Sequence, residues 1–255
     1  MERPATTRLF VEAGLGDGGT VALGRDQAHY LRAVLRLEPG ARVLLFNGRD
    51  GEWLAEITDL TKGAANLDLI EQVRPQAEAM GPALLFAPIK KGPLDFLVQK
   101  AVELGVSSLQ PVLTERTNVA RVNLDWLWAN AREAAEQCGR LTVPAVKPPA
   151  PLEEAVAGLS DEFAVLWCAE SGAAAPIADA LATAPAEHPI AFLTGPEGGF
   201  APSELDALRN NALITPISLG PRVLRAETAA LAALACWQSV HGDWRNRPPG
   251  QAGTV

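Results

Sequence analysis

The sequence predicts an α/β protein in two parts: a small β-barrel-like segment, then a larger domain built on a mostly parallel sheet. Up to about residue 75, short apolar segments are separated by turn residues, the pattern of a small all-β domain. Beyond residue 83, strand-like and helix-like segments alternate, which means βα units. The chain has 255 residues, 48% of them hydrophobic and 20% charged, enough apolar material for a sizeable core and too much for a disordered chain.

The first part, residues 1–74, is expected to hold strands at 9–11, 21–23, 43–46, 53–57 and 66–70, with turns at Glu38-Pro39-Gly40 and Asn47-Gly48. A helix is expected at 26–37, with Ala28, Leu31, Val34 and Leu35 spaced to face inward. Its other face carries His29, Arg32 and Arg36, and an Arg pair at i, i+4 projects two guanidiniums side by side. That face is either ordinary solvated surface or an RNA-phosphate contact.

Residues 75–82, rich in Pro, Gly and Ala, read as a linker. The second domain, 83–247, is expected to have strands at 83–89, 109–113, 163–168, 190–194 and 214–219, and helices at 93–104, 124–138, 202–210 and 227–240. The first of these helices is well marked: Pro93 lies in its opening turn, Leu94, Leu97, Val98 and Ala101 form one stripe, and Gly105 follows its end. The tail, 248–255, is expected to be disordered.

Several functional classes drop out. No N-terminal apolar run resembles a signal peptide, and no stretch reaches the roughly 20 apolar residues of a membrane span. Cys138, Cys168 and Cys236 form no C-x-x-C pair, and His29, His188 and His241 are scattered, so no metal or disulfide framework is indicated. A reducing cytoplasm is the expected setting. Cys138 closes an amphipathic helix with no identifiable base nearby and is read as packing. No G-x-S-x-G elbow and no Walker lysine occur. Gly14-Leu15-Gly16-Asp17-Gly18-Gly19 spells the dinucleotide fingerprint, but a strand follows it rather than a helix, so a flexible hairpin loop is expected.

A formal net charge of −8 argues against nucleic acid as a partner, since phosphate binding uses Lys and Arg. The acidity is uneven: residues 126–218 hold twelve acidic and four basic groups, whereas 1–50, 81–125 and 219–247 are neutral to basic. A fold that gathers those three segments would carry a basic face on an acidic protein.

Three segments carry chemical signal. Leu193-Thr194-Gly195-Pro196-Glu197-Gly198-Gly199-Phe200 follows an apolar strand and precedes a helix, where α/β sheets bind ligands beyond their strand ends; alone, such a loop is often a plain turn. Ser218-Leu219-Gly220-Pro221-Arg222-Val223-Leu224-Arg225-Ala226-Glu227-Thr228 repeats the arrangement, and places two arginines before a helix that should be buried on most sides. Structural ion pairing competes as the account of those arginines. Lys90 and Lys91 end a strand, so they fall at the same sheet edge, with Gln99 to Val106 and Glu136-Gln137-Cys138-Gly139-Arg140 as further blocks.

These blocks, together with Arg8-Leu9-Phe10, the stretch His29 to Arg36 and Thr114-Glu115-Arg116, occur in order across residues 8–244. The chain resembles the bacterial small-subunit ribosomal RNA uridine N3-methyltransferases of the SPOUT class. The resemblance implies a PUA-like RNA-binding barrel followed by a knotted methyltransferase domain, a homodimer, S-adenosylmethionine as methyl donor, and 16S rRNA of the small ribosomal subunit as substrate. A knot runs against the topological expectation, and the resemblance alone licenses it. Carried over, Leu193, Thr194, Gly195, Pro196, Glu197, Gly198, Gly199, Leu219, Gly220, Leu224 and Thr228 would hold the cofactor. Arg225 and Glu227 would be catalytic, and Arg8, His29, Arg32, Arg36, Lys90, Lys91, Arg116 and Arg222 would contact RNA. Two departures stand out: Ala201 replaces a family serine before Pro202, losing an N-cap worth about 1 kcal/mol, and Pro93 sits where polar residues are common. The alternatives are another SPOUT reaction, ribose 2′-O or tRNA methylation, and a non-catalytic ribosome-assembly factor.

Overall fold

The protein is represented by a computed structural model that describes residues 7–77, 80–117, 121–159, 163–170, 172–184 and 188–246. The tail expected at 248–255 and residues 78 and 79 of the expected linker lie outside the described residues. The chain divides into two compact units, one of Met1–Ala79, Ala135–Val143 and Pro248–Val255, the other of Met80–Ala134 and Pro144–Arg247.

In the first unit, β1 (Arg8–Phe10), β2 (Thr20–Leu23), β3 (Arg42–Phe46), β4 (Glu52–Leu60) and β5 (Ala65–Arg74) form one sheet in the order β1-β3-β4-β5-β2. β1 pairs with β3 in parallel and the remaining pairs are antiparallel. Strict alternation sets the inner face: Ala65, Leu67 and Leu69 of β5 are buried while Asn66 and Asp68 are exposed. Leu9, Val21, Leu31, Val43, Leu45, Trp53 and Ile57 complete this core.

The expected barrel is only partly closed, because β1 and β2 are the two ends of the sheet. The glycine-rich segment 14–19 therefore joins the two edges and is not a hairpin loop. It is also anchored: Leu15 is buried, its N–H donates to Asp50 Oδ2 at 3.0 Å, and Gly19 N–H donates to Gly16 O at 3.1 Å.

The helix expected at 26–37 is shorter and changes pitch. A short α1 (Arg25–His29) continues as a π-helical turn over Tyr30–Val34, closed by Leu35 N–H donating to Tyr30 O. Arg36 then adopts left-handed backbone at φ 55°, and Leu37 N–H reaches Leu31 O at 2.9 Å. The wider turn rotates the stripe out of register, so Ala28 and Leu31 are buried but Val34 is 59% exposed.

The second unit contains, in order, β6 (Ala83–Phe86), α2 (Lys91–Glu103), β7 (Ser108–Leu113), α3 (Leu124–Cys138), β8 (Ala145–Val146), β9 (Ala150–Pro151) and α4 (Leu152–Ala157). There follow β10 (Ala164–Cys168), β11 (Ala175–Pro176), α5 (Ile177–Thr183), β12 (Ile190–Thr194), α6 (Pro202–Asn210), β13 (Ile214–Ser218) and α7 (Ala226–Val240). The last turn of α3 belongs to the first unit. The sheet runs β11-β13-β10-β12-β6-β7-β8, parallel throughout, with β9 added to β7. Its central strands β6 and β12 are buried at every position, as a sheet covered on both faces requires. On one face Leu85, Val165, Trp167, Ala191 and Leu193 pack with Leu152 and Val156 of α4 and Leu208 of α6. On the other, α7 packs beside α2, and Gln238 Nε2 near the end of α7 donates to Leu104 O at 2.9 Å.

β6 ends at Phe86, short of the expected 83–89: Ala87 N–H still reaches Thr194 O, but Pro88 has no N–H to continue the ladder. The short α4 and α5 escape the sequence reading because six and seven residues give too little periodicity to detect.

Candidate functional site

β10 lies between β12 and β13 in the parallel sheet, with Leu193 opposite Trp167 and Cys168 opposite Ile217. The loops that leave these three strands therefore emerge side by side at one edge, beyond the carboxyl ends where parallel sheets hold ligands. Two of them are the glycine-bearing segments singled out by sequence.

After β12 the chain turns tightly, with Gly199 N–H donating to Pro196 O at 2.9 Å. Phe200 folds back beneath the loop and meets Trp167 edge-on at 5.9 Å between ring centroids. A Cβ on Gly195 would stand 2.7 Å from that phenyl ring, so only glycine lets the backbone close over Phe200. Leu193 and Thr194 are fully buried strand residues, and Thr194 O already accepts from Ala87 N–H, so they set the position of the loop that follows. Glu197 and Gly198 are exposed at the loop tip.

After β13 the half-buried Leu219 leads to Gly220 at φ 101°, whose N–H donates to Ser218 Oγ. No atom lies within 4 Å of the position a Gly220 Cβ would take, so the glycine answers a backbone requirement and leaves open space beside the chain. Arg222 and Val223 are exposed, Leu224 is half-buried, and Arg225 is the N-cap residue of α7. Glu227 stands half-buried in the first turn of α7, one residue before the exposed Thr228. Among the described residues neither Arg222 nor Arg225 makes an ion pair, so structural pairing does not explain them.

Arg116 reaches the same edge. Its Nη1 donates to Gly198 O at 3.0 Å, which ties it to the glycine loop. Lys90 and Lys91 do not end a strand: they open α2, Lys90 as its N-cap, and Lys91 Nζ sits 5.5 Å from the centroid of the Trp126 ring. Burial, reinforced by Cys236, pushes the Cys168 thiol up to about 12, so it is no nucleophile at neutral pH. Cys138 ends α3 in an exposed position.

In the first unit, His29 and Arg32 are exposed on α1 and the π turn. Arg36 is exposed too, but it lies past the helix in left-handed backbone, so the expected i, i+4 pairing of guanidiniums does not form. Arg8 is a correction. Its guanidinium donates to Glu52, to Ala135 O and Glu136 O at 2.9 Å and to Arg140 O at 2.7 Å, and it lies 4.5 Å from the Phe46 ring centroid. With its side chain 14% exposed, Arg8 spends its donors on the protein's own carbonyls, including two at the end of α3, and is unavailable to RNA. Arg74 completes the cluster by donating to both oxygens of Glu52 and to Gly139 O.

Glu170 and Glu204 are polar neighbours of the loop that sequence reasoning missed. Glu170, in the loop after β10, lies with Oε2 3.8 Å from the position of a Gly199 Cβ. Glu204 accepts from Ala201 N–H at 2.8 Å, which is half of a capping box. Alanine has no oxygen to return the other half, so the motif's first letter is missing and only the Glu three residues into the helix signals it.

Comparison with known proteins converges on one group. A family profile described as RNA methyltransferase domain matches residues 79–238, and one described as RNA methyltransferase PUA domain matches 23–70. The ribosomal RNA small subunit methyltransferase E of Rickettsia conorii is 31% identical over 229 residues, spanning 89% of this chain and 93% of its own. That of Synechocystis sp. is 36% identical over 222 residues, 85% of this chain and 72% of its own. The crystal structure of a ribosomal RNA small subunit methyltransferase E from Neisseria gonorrhoeae bound to S-adenosyl methionine superposes with a TM-score of 0.82 at 31% identity, covering 91% of this chain and 97% of that one. A Legionella pneumophila methyltransferase in complex with its bound cofactor SAM gives 0.80 at 28% identity, over 92% and 97% of the two chains. Among the described residues no helix is long and apolar enough to cross a membrane, and no group of three or more His, Cys, Asp or Glu could hold a metal ion.

Proposed function

Because this chain belongs to the ribosomal RNA small subunit methyltransferase E family, we propose that it methylates N3 of a uridine in 16S rRNA, using S-adenosylmethionine. Its fold class is the SPOUT-type α/β methyltransferase with a PUA-like domain before it. The observation that carries the reading is the pair of glycine-bearing loops brought to one sheet edge by β12 and β13, with two exposed arginines between the second loop and α7 that make no ion pair among the described residues.

The loops fit the cofactor in kind. Gly195, Glu197, Gly198 and Gly199 are the accessible part of the first loop, with the buried Leu193, Thr194 and Pro196 shaping its base, and Leu219, Gly220, Leu224 and Thr228 reach the surface in the second. The open space beside Gly220 admits a group lying against the chain. When bound, S-adenosylmethionine supplies a methyl carbon made electrophilic by its sulfonium.

The rest of the reaction falls to the protein. A uridine ring nitrogen is weakly acidic and attacks only as its proton leaves, so negative charge develops on the two flanking carbonyls. Arg225, exposed at the start of α7 and without an ion pair among the described residues, is the candidate donor to one of them. Glu227, half a turn further on, is the candidate to accept the proton or to orient Arg225. No covalent enzyme intermediate is needed, in keeping with the suppressed Cys168 thiol.

RNA contact is assigned to His29, Arg32, Arg36, Lys90, Lys91 and Arg222, all exposed. The π turn and the left-handed Arg36 support a functional role for the first of these groups, since such backbone concentrates at binding sites. A homodimer is the proposed assembly. Ala226, Ala229, Leu231 and Ala232 of α7 are left half-buried within one chain, and Val223 before the helix and Trp244 after it are 82% and 55% exposed. A ribosomal RNA substrate supports the cytoplasm as its setting.

Incubation with labelled S-adenosylmethionine and small subunits from a strain lacking the modification, followed by nucleoside mass spectrometry, tests the assignment. N3-methyluridine is expected. Finding only 2′-O-methyl nucleosides would make it a different SPOUT enzyme, and no transfer together with no cofactor binding would leave an assembly factor.

A further inference from the structure

Several contacts converge on the glycine loop from a segment that contributes none of its glycines. Residues 114–117, just after β7, form a closed turn: Thr117 N–H donates to Thr114 O at 3.0 Å, and Thr114 N–H donates to Thr117 Oγ1 at 2.9 Å. From this turn Arg116 donates to Gly198 O. The arginine stem also lies along the loop tip, since a Cβ on Gly198 would be 3.8 Å from Arg116 Cβ. A second tie runs through Glu204: one carboxylate oxygen accepts from Glu115 N–H and the other from Ala201 N–H, each at 2.8 Å. One carboxylate thus fastens the turn to the end of the loop, while Arg116 fastens it to the tip.

A loop with three glycines loses much conformational freedom on ordering, and a site that orders its loop beforehand spares the ligand that cost. We propose that the turn 114–117 braces the cofactor loop, with Arg116 and Glu204 as positioning residues that hold 195–201 in its binding shape. This rests on the reading of 195–199 as a cofactor loop. It also reassigns Arg116, which the sequence reading places on the RNA face. The ties act before the methyl donor arrives, so their loss shows in cofactor affinity and not in turnover once the site is filled.

The test compares the full-length protein with Arg116→Ala, Arg116→Lys and Glu204→Gln. Glu204→Gln leaves one acceptor oxygen where two are used. Calorimetry with S-adenosylmethionine and S-adenosylhomocysteine is paired with steady-state KM and kcat, RNA affinity, and Tm without cofactor. The brace predicts that Arg116→Ala and Glu204→Gln raise Kd and KM for the cofactor about five- to tenfold, the worth of one ordinary hydrogen bond. kcat at saturation and RNA affinity stay within about twofold, and Arg116→Lys recovers most of the affinity because its ammonium can still donate to Gly198 O. If both loss variants bind the cofactor as tightly as the parent, the proposal fails. If Arg116→Ala weakens RNA binding alone, Arg116 returns to the RNA face and the proposal fails equally. A parent protein that does not bind the cofactor overturns the cofactor-loop reading itself, and is told apart because it precedes any comparison among variants. Should Glu204→Gln lower Tm, the exposed Arg116 pair still decides the matter.

Discussion

Arginine does opposite work in the two units. In the first, Arg8 and Arg74 enclose Glu52, whose side chain is 5% exposed, and spend their remaining donors on Ala135, Glu136, Gly139 and Arg140 carbonyls. In the second, Arg222 and Arg225 stand exposed beside a glycine turn without an ion pair among the described residues. Sequence offers the same letter in both places. The difference lies in what the donors face: a guanidinium whose hydrogen bonds are satisfied inside the fold is a fastener, and one left unsatisfied at a strand end is available for chemistry. The contrast can be broken by mutating each side and asking whether stability or activity responds.

The largest effect is expected at the fastener. Glu52→Gln removes the carboxylate held between two mostly enclosed guanidiniums, and losing one partner of such a cluster costs about 3 kcal/mol or more. Thermal or denaturant unfolding should show this, with cofactor affinity measured at low temperature little changed. The pH dependence follows from Glu52 itself. Burial acts to raise its pKa, but the hydrogen bonds from Arg74 and Arg8 outweigh burial and hold it below the ordinary 4.5. A group lowered in the folded state contributes stability that is complete above the unfolded value and is lost as pH falls through the folded one. The parent should therefore lose stability below about pH 4.5, and Glu52→Gln should show a shallower fall there.

Next comes the unpaired arginine. Arg225→Ala should lower kcat by about 100-fold or more, the usual loss when one donor to developing negative charge is removed. Tm and cofactor Kd should hold, because its side chain fastens nothing within the described residues. A drop in Tm comparable to that of Glu52→Gln would erase the distinction between the two units.

How far the sequence was legible follows the same division. Glycine and proline punctuation placed α6 and β12 at their observed bounds, and the glycine-bearing loops with Arg225 were visible because backbone constraint leaves a signature in residue type. The order β12-β10-β13 was not legible, since strand neighbours in a parallel sheet are chosen by long-range packing. The fate of Arg8 was equally hidden: besides Glu52, its acceptors are carbonyls more than a hundred residues away, and a carbonyl has no letter. The π turn escaped because a single extra residue per turn preserves composition while shifting the face, which is how Val34 came to be expected inside and is found outside.

The smallest effect sharpens the comparison on the side of RNA. Arg32 and Arg36 are exposed yet no longer adjacent on one helical face, since the chain turns left-handed at Arg36. If each meets its own phosphate, Arg32→Ala and Arg36→Ala should each weaken RNA binding modestly and lower the slope of log K against log salt by about one, additively in the double variant. If the pair instead grips a single phosphate, the first substitution takes nearly the whole effect and the second adds little. The acidic total charge of −8 makes this measurable, because bulk nucleic acid binds weakly to such a protein and the slope reports the few basic contacts that remain. A slope unchanged in the double variant would move the RNA face away from the π turn altogether, and leave Lys90, Lys91 and Arg222 to account for substrate binding.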